Sequence, residues 1–275
     1  MSQFQFTRLQ DGSKQRLATL QEAIGMPRGQ GGRETWLFVS PHDDDLVIGA
    51  GLWMQAAVDA SVDVQVLVVT DGRMGYCTPD QRDRIAAIRK AETYESFEIL
   101  GVPRNQIAYI GYPDGALYDL QGRRKHRSDD EVKPTQGHVG LCNEFTYHLR
   151  RTRPARVFVP TIADLHPDHQ ITNNELMISL FHASGAIWPE LGKPLGNVPA
   201  VYELAIYCDF PHPPQLELRS DNAAFDKKLA GIAAYRSQLQ IAQLVENMRN
   251  AGAYEYLREL NFRFYSPNNH KSMFS

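Results

Sequence analysis

Apolar residues along this 275-residue chain come in short bursts that stop at turn residues. The clearest burst is Val62-Asp-Val-Gln-Val-Leu-Val-Val-Thr70, which is β-branched, apolar and bounded by turn formers, and so predicts a strand. Similar bursts predict strands over 35–40, 107–111, 156–160 and 200–207. Between them the spacing turns helical. Leu46, Ile48, Leu52, Met54 and Val58 mark a helix over 46–60, and Ile85, Ile88, Ala91 and Phe97 mark one over 81–100. Gly101 stops the second, with Pro103 behind it. Further helices are expected over 141–151, 173–182 and 225–243, the last with Leu229, Ile232 and Leu239 as its core stripe. A short one is expected over 254–260. The first 30 residues are polar, with one short helix over 14–24 that Gly25 to Gly32 breaks. Alternating strands and helices at this spacing imply parallel pairing through right-handed crossovers. No linker or repeat divides the chain. The expectation is a single α/β domain over 1–275, mainly parallel, with helices on the sheet. Its motifs lie within about 35–182, and the strand and helices of 200–275 pack on that part.

Two of the bursts end in chemistry. After Trp36–Val39 and Ser40-Pro41 come His42, Asp43, Asp44 and Asp45. Charged groups beside a core are costly unless paired or bound to a metal. Imidazole nitrogen and carboxylate oxygen together suit Zn²⁺. Capping a helix needs one Asp, not three. After the 156–160 strand come His166, Pro167, Asp168 and His169. Pro167 suits a first helical turn, and histidines three apart share a helix side. A solvated helix start accounts for either cluster alone, but not for both at strand ends. Ligands of open parallel sheets bind beyond the carboxyl ends of the strands. Asp71-Gly72 and Pro113-Asp114 end two further strands, so four loops converge there.

Composition narrows the field further. A net charge of −3 gives no sign of a nucleic-acid partner or an anionic membrane surface. Cys77, Cys142 and Cys208 are few, odd in number and far apart, which argues against a disulfide framework and a cysteine zinc site. No run approaches the ~20 apolar residues of a membrane helix, and the first residues lack a signal-peptide core. The expected setting is cytoplasmic. The glycine fingerprint of dinucleotide sites, the phosphate-loop lysine and the Gly-x-Ser-x-Gly elbow are all missing.

His42-x-Asp44-Asp45 and His166-Pro-Asp168-His169, in this order, resemble the PIG-L/LmbE-like N-acetylglucosaminyl deacetylases. Thr70-Asp-Gly72-x-x-Gly75, Arg89-x-x-Glu92 and Pro113-Asp114-Gly115 look like that family's intervening motifs, and Tyr235-Arg-Ser237-Gln238 is a fainter match. The resemblance implies a Rossmann-like fold. It also implies one Zn²⁺ per chain and hydrolytic removal of acetate from an N-acetylglucosamine-type sugar or glycoconjugate. By similarity His42, Asp45 and His169 hold the zinc, Asp44 is the general base, His166 stabilises the oxyanion or protonates the amine, and Arg89 and Asp114 face the sugar. Two residues depart from the family pattern: Asp43 stands where it has proline, and Leu46 where it has glutamate. Three protein ligands leave a fourth position open for water, as in catalytic zinc sites.

Other expectations are finer. His166 is read as an imidazolium held charged by Asp168. Arg123, Arg124 and Arg127 are read either as a contact for an anionic aglycone or as a solvated loop of mixed charge. Tyr76 and Tyr112 are candidates for stacking on a sugar, and Ser237-Gln238 for reaching the site. The segments 117–138 and 189–199 are expected to shape the mouth. His138, His148, His182, His212 and His270 have no partner motif. The alternatives are a two-metal phosphoesterase and an inactive sugar-binding module. The sequence leaves a homo-oligomer open.

Overall fold

The structure, a computed structural model, describes residues 3–25, 33–75, 77–262 and 264–274. Tyr76 and the 26–32 part of the expected helix break lie outside them. The chain opens with a hairpin, β1 (Phe4–Gln10) and β2 (Ser13–Leu17), turning on Asp11-Gly12, both with positive φ. Asp-Gly is a preferred two-residue hairpin turn. Strand pairing therefore claims part of the predicted helix, which shrinks to α1 (Leu20–Ile24), capped by Thr19. Next come β3 (Thr35–Ser40), α2 (Asp45–Asp59), β4 (Asp63–Thr70), α3 (Ile85–Ile99) and β5 (Ile107–Tyr112), close to expectation. The charged insertion holds only a two-residue ribbon, β6 (Arg124–Lys125) with β7 (His138–Val139). Then follow α4 (Leu141–Thr152), β8 (Arg156–Pro160), α5 (Pro167–Ser184) and β9 (Ala200–Leu204). The C-terminal part is β10 (Leu216–Ser220), α6 (Asn222–Ala233), α7 (Ile241–Ala251) and β11 (Tyr254–Leu260).

Nine strands form one mixed sheet in the order β2-β1-β10-β11-β9-β8-β3-β4-β5. The run β9-β8-β3-β4-β5 is parallel throughout, as expected. The other four strands extend it antiparallel. One face carries α2, α3 and α6 over a core that includes Trp36, Phe38, Trp53 and Phe97. The opposite face carries α4 and α5 over Leu37, Val39, Phe145 and Val159. Strand β3 lies between β4 and β8, so the chain crosses away from it in both directions. Its carboxyl end is the topological switch point, where α/β sheets open a crevice. Among the described residues no helix is long and apolar enough to cross a membrane.

Two C-terminal expectations are corrected. Residues 254–260 form a strand, with the alternating burial of a sheet. The predicted helix over 225–243 breaks: α6 ends at Ala233 and α7 starts at Ile241. Leu229 and Ile232 are buried as expected, but Leu239 lies in the break and is exposed.

Strand β11 also steadies the site from below. Helix α2 kinks at Ala50 (φ −143°), which frees the backbone N–H groups of Leu52 and Trp53. Both donate to the buried Glu255 carboxylate at 3.0 Å, and Lys228 Nζ neutralises it at 2.7 Å. Removing one partner of a buried pair strands the other's charge. Glu255→Ala is therefore expected to lower stability by about 3–5 kcal/mol, read from urea unfolding. A midpoint like the parent's would mean that the kink holds without the pair.

Candidate active site

The crevice beyond β3 collects side chains from four loops. At the end of β3, Ser40 Oγ donates to the His42 carbonyl, and the His42 amide donates to Asp45 Oδ2 at 2.7 Å. This folds the fully buried Asp45 back toward His42. Across the crevice α5 begins with His166 as N-cap and Pro167 in its first turn. One turn later it presents His169. His42 Nδ1, His169 Nε2 and Asp45 Oδ2 then form a near-equilateral triangle. The edges are 3.1 Å between the imidazoles, 3.2 Å from His42 to Asp45 and 3.1 Å from His169 to Asp45.

That triangle fits a metal ion. Donors bound tetrahedrally at 2.0–2.1 Å lie about 3.3 Å apart. Each imidazole turns its other nitrogen to carboxylate: His169 Nδ1 to Asp164 Oδ2 at 3.0 Å, and His42 Nε2 to Asp114 Oδ1 at 3.2 Å and Asp168 Oδ2 at 3.4 Å. Metal-binding histidines are oriented in this way. Asp45 Oδ1 is buried with no hydrogen-bond partner. The protein alone treats the spot as one that wants positive charge. Burial opposes a charged His42, but Asp45, Asp114 and Asp168 hold its pKa well above the usual value. Burial would likewise raise Asp45, but the His169 and His42 rings hold it well below the carboxylate range. Two other donor groupings occur among the described residues, His42 with His166 and His169, and His42 with Asp114 and Asp168. In the first, Nδ1 of His166 already accepts the Asp168 amide at 3.3 Å. In the second, Asp114 Oδ2 accepts the Met74 amide and Asp168 Oδ2 the Gly115 amide, at 3.1 and 2.9 Å.

Asp44 stands at the start of α2 without capping it. Gln238 Nε2 donates to its Oδ2, and Arg89 Nη2 lies 3.5 Å from the same atom. Gln238 gets there because the chain breaks between α6 and α7. Its neighbour Ser237 turns instead to Glu92, donating through both its amide and its hydroxyl. A cavity of about 200 Å³ opens over this group, lined by His42, Asp44, His166, Met74, Tyr207 and Gln238 among others.

Several residue expectations need correction. Arg89 and Asp114 both line the cavity, but the Arg89 guanidinium is already engaged. It is buried, paired to Asp43 through Nε (2.6 Å) and Nη2 (2.9 Å), and packed on the Tyr235 ring. The third aspartate is thereby accounted for: burial pushes Asp43 up to about 6 while Arg89 pulls it down, and Tyr235 OH donates to its carbonyl. Leu46 is fully buried in the core. Asp114 spends its oxygens on His42 and the Met74 amide. Asp168 gives His166 no side-chain partner; its carboxylate serves His42 and Gly115. Burial and the His42 and His169 rings push His166 below its ordinary pKa. Nδ1 of His166 accepts the Asp168 amide, which leaves Nε2 as the nitrogen free to donate. The basic loop is paired within its own neighbourhood: Arg124 bonds Asp130 with both Nη atoms, and Arg123 bonds Asn143 and Glu190 and covers Trp188. Neither arginine lines the cavity. Tyr112 is buried, its hydroxyl accepting the Gly140 amide, and cannot stack on a ligand. The 189–199 segment follows the far end of α5, roughly 20 Å from His169 at 1.5 Å per residue. There Arg150 gathers the carbonyls of His182, Ala183, Gly185, Trp188 and Gly192.

Two residues that the sequence did not single out join the site. Asp164 holds three groups at once: His169 Nδ1, the His166 amide and the Tyr207 amide. Tyr207 stacks on His169 with ring centres 5.0 Å apart. Proximity to the second cluster was the only signal for Asp164, and Tyr207 carried none.

Comparison with known proteins bears on the same stretch. The diacetylchitobiose deacetylase of Thermococcus kodakarensis is 30% identical over 138 residues, which is 49% of this chain and 44% of that protein. The 1D-myo-inositol 2-acetamido-2-deoxy-α-D-glucopyranoside deacetylase of Kineococcus radiotolerans is 29% identical over 164 residues, 54% of this chain and 45% of that protein. The matches thus span less than half the length of these curated relatives. In three dimensions the chain resembles N,N′-diacetylchitobiose deacetylase from Pyrococcus horikoshii, with a TM-score of 0.66 at 24% identity, covering 92% of this chain and 94% of that one. This likeness establishes the mixed α/β fold. The family described as PIG-L, GlcNAc-PI de-N-acetylase, matches residues 37–179, more than half of the chain and both histidine clusters. The chain belongs to the PIG-L family.

Proposed function

We propose that the chain is a metal-dependent N-deacetylase that hydrolyses the acetamide of an N-acetylglucosamine-type sugar. The observation that carries this is the donor triangle of His42, His169 and Asp45 with the Asp44 carboxylate beside it. Family membership and the activities named for the relatives support the substrate class. Bound in the triangle, a divalent cation such as Zn²⁺ supplies an acidified water and polarises the acetamide carbonyl.

The chain's own groups do the rest. Asp44, steadied by Gln238, takes the proton of the attacking water and returns it to the departing amine nitrogen. His166 uses Nδ1 to cap α5, so its proton sits on Nε2, ready to donate to the oxygen that gathers charge. Asp114 and Asp168 fix the His42 ring, and Asp164 the His169 ring. Groups behind metal ligands typically contribute 10- to 100-fold in metal affinity. Asp164→Asn is therefore expected to weaken metal binding by about that factor, measured by competition with a chelating dye. Unchanged affinity would reduce Asp164 to a loop tie.

A two-metal phosphoesterase would need a second ion at His42, Asp114 and Asp168. A neutral imidazole has one free nitrogen, and His42 Nδ1 faces the triangle. Acetate release from a panel of N-acetylated sugars, run beside phosphate release from phosphoesters, tests the reading. Metal-dependent acetate without phosphate is expected. Phosphate release would favour the two-metal alternative, and neither product an inactive binding module.

A further inference from the structure

The loop between β8 and α5 carries Asp164 and His166, so its path decides where both side chains point. Hydrogen bonds fix that path. The Thr161 amide donates to the Leu204 carbonyl at 2.8 Å, and the Asp164 amide to the Thr161 carbonyl at 3.1 Å. Between them the Ile162 amide donates to a side chain, Oε1 of Glu203 on β9, at 3.2 Å. The same oxygen accepts Nδ2 of Asn173 on α5 at 3.3 Å, and this nitrogen also donates to the Pro160 carbonyl at 2.8 Å. One carboxylate thus joins the end of β8, the loop and the helix that presents His169. Glu203 is fully buried, where a carboxylate is costly unless paired. Its partner comes from the antiparallel half. Arg258, on β11, reaches Oε2 through Nε at 2.6 Å and Nη2 at 2.5 Å. Among the described residues no other cation pairs with Glu203, and none of the residues lining the cavity comes from β1, β2, β10 or β11.

We propose that Glu203 and Arg258 are positioning residues for the reaction. The pair sets the loop that aims Asp164 at His169. Each link is on hand: Arg258 to Glu203, Glu203 to the Ile162 amide, the Thr161–Asp164 turn, and Asp164 Oδ2 to His169 Nδ1 at 3.0 Å. Asp164 Oδ1 holds the His166 amide at 3.0 Å from the same turn. Without Arg258 the carboxylate keeps its charge and loses the group that offsets burial, so turning away from Ile162 toward water becomes favourable. A glutamine at 203 would offer one acceptor oxygen where the carboxylate offers two. The antiparallel half thus serves the site although it places no group in it. The effect on turnover rests on the deacetylase reading above; the effect on the loop does not.

The test is Arg258→Gln, with Arg8→Gln as control. Arg8 pairs with Glu259, the next residue of β11, and otherwise bonds the Ala23 carbonyl. Hydrogen exchange of the metal-free protein, read by mass spectrometry, reports on the loop directly. A hydrogen bond to a charged group is worth on the order of tenfold in local opening, so peptides over 161–169 should exchange faster by about that factor in Arg258→Gln, while those of β3 and α2 keep the parent rate. Zn²⁺ affinity, by competition with a chelating dye, should fall about tenfold through the loosened His169 ring. In metal-saturated enzyme kcat should fall on the order of tenfold with KM within about twofold. Arg258→Lys, which keeps the charge, should recover most of each loss, and Arg8→Gln should show none of them. Faster exchange spread evenly over all peptides, with parental Zn²⁺ affinity and kcat, overturns the proposal and makes the pair a plain element of stability. If Arg258→Gln does not fold, Asn173→Ala decides: it removes another tie to Glu203 without stranding a charge. Faster exchange confined to the loop and weaker Zn²⁺ binding then support the proposal, and parental values overturn it. Absence of acetate release from the parent would count against the deacetylase reading alone, since exchange and Zn²⁺ affinity still judge the pair.

Discussion

Asp44→Asn is expected to keep its fold and its bound metal and to lose on the order of 10²- to 10⁴-fold in kcat. The exchange preserves shape, and Gln238 can still donate to the remaining amide oxygen. What it removes is the capacity to take a proton. The adjacent aspartates cannot substitute. Asp43 is bound by Arg89 through two nitrogens, and Asp45 points into the triangle with both imidazoles. The comparison variant is Asp43→Asn, which leaves the proposed proton acceptor in place but loosens the Arg89 guanidinium beside Asp44. Its loss should appear mainly as lower stability and be the smaller of the two in kcat. Single-turnover and steady-state rates, with metal content measured on the same samples, separate these cases. Near-parental kcat in metal-loaded Asp44→Asn would show that the proton acceptor has been assigned one residue out of place.

The parallel half of the fold was legible because its central strands, β3, β4 and β8, are largely buried and read as apolar bursts. The antiparallel half was not, and β11 shows why. Its inward positions are Glu255 and Leu257, with Tyr254 and Tyr256 facing out. A glutamate in the core spoils the period-two pattern, and what satisfies it, Lys228 and the kinked α2, lies far away in sequence. The N-terminal hairpin carried a usable signal in Asp11-Gly12, but its first strand joins the sheet through β10, a strand the apolar pattern does not announce. In the candidate site the donors of the triangle stood out because ionisable residues directly after apolar strands are conspicuous. Which carboxylate serves which ring did not. Asp168, one residue from His169, turns to His42 across the crevice, while Asp164, five residues away, holds His169. Such pairings are set by where α5 and β3 come to lie, which a linear pattern does not encode. The partner of Arg89 was hidden for the same reason: Asp43 is 46 positions away.

His169→Ala should have the other large effect, on the metal itself. His169 supplies one corner of the triangle, and its loss leaves two donors plus an Asp164 carboxylate that has lost the ring it orients. His182 lies on the same helix and makes the proper control, since it stacks on Trp188 at the opposite end of α5. The decisive measurement is metal content per chain, by elemental analysis of protein dialysed against a low concentration of Zn²⁺. About one ion per chain is expected for the parent and for His182→Ala, with His169→Ala at background. Equal metal in His169→Ala and the parent would contradict the assignment of His42, Asp45 and His169 as the metal site.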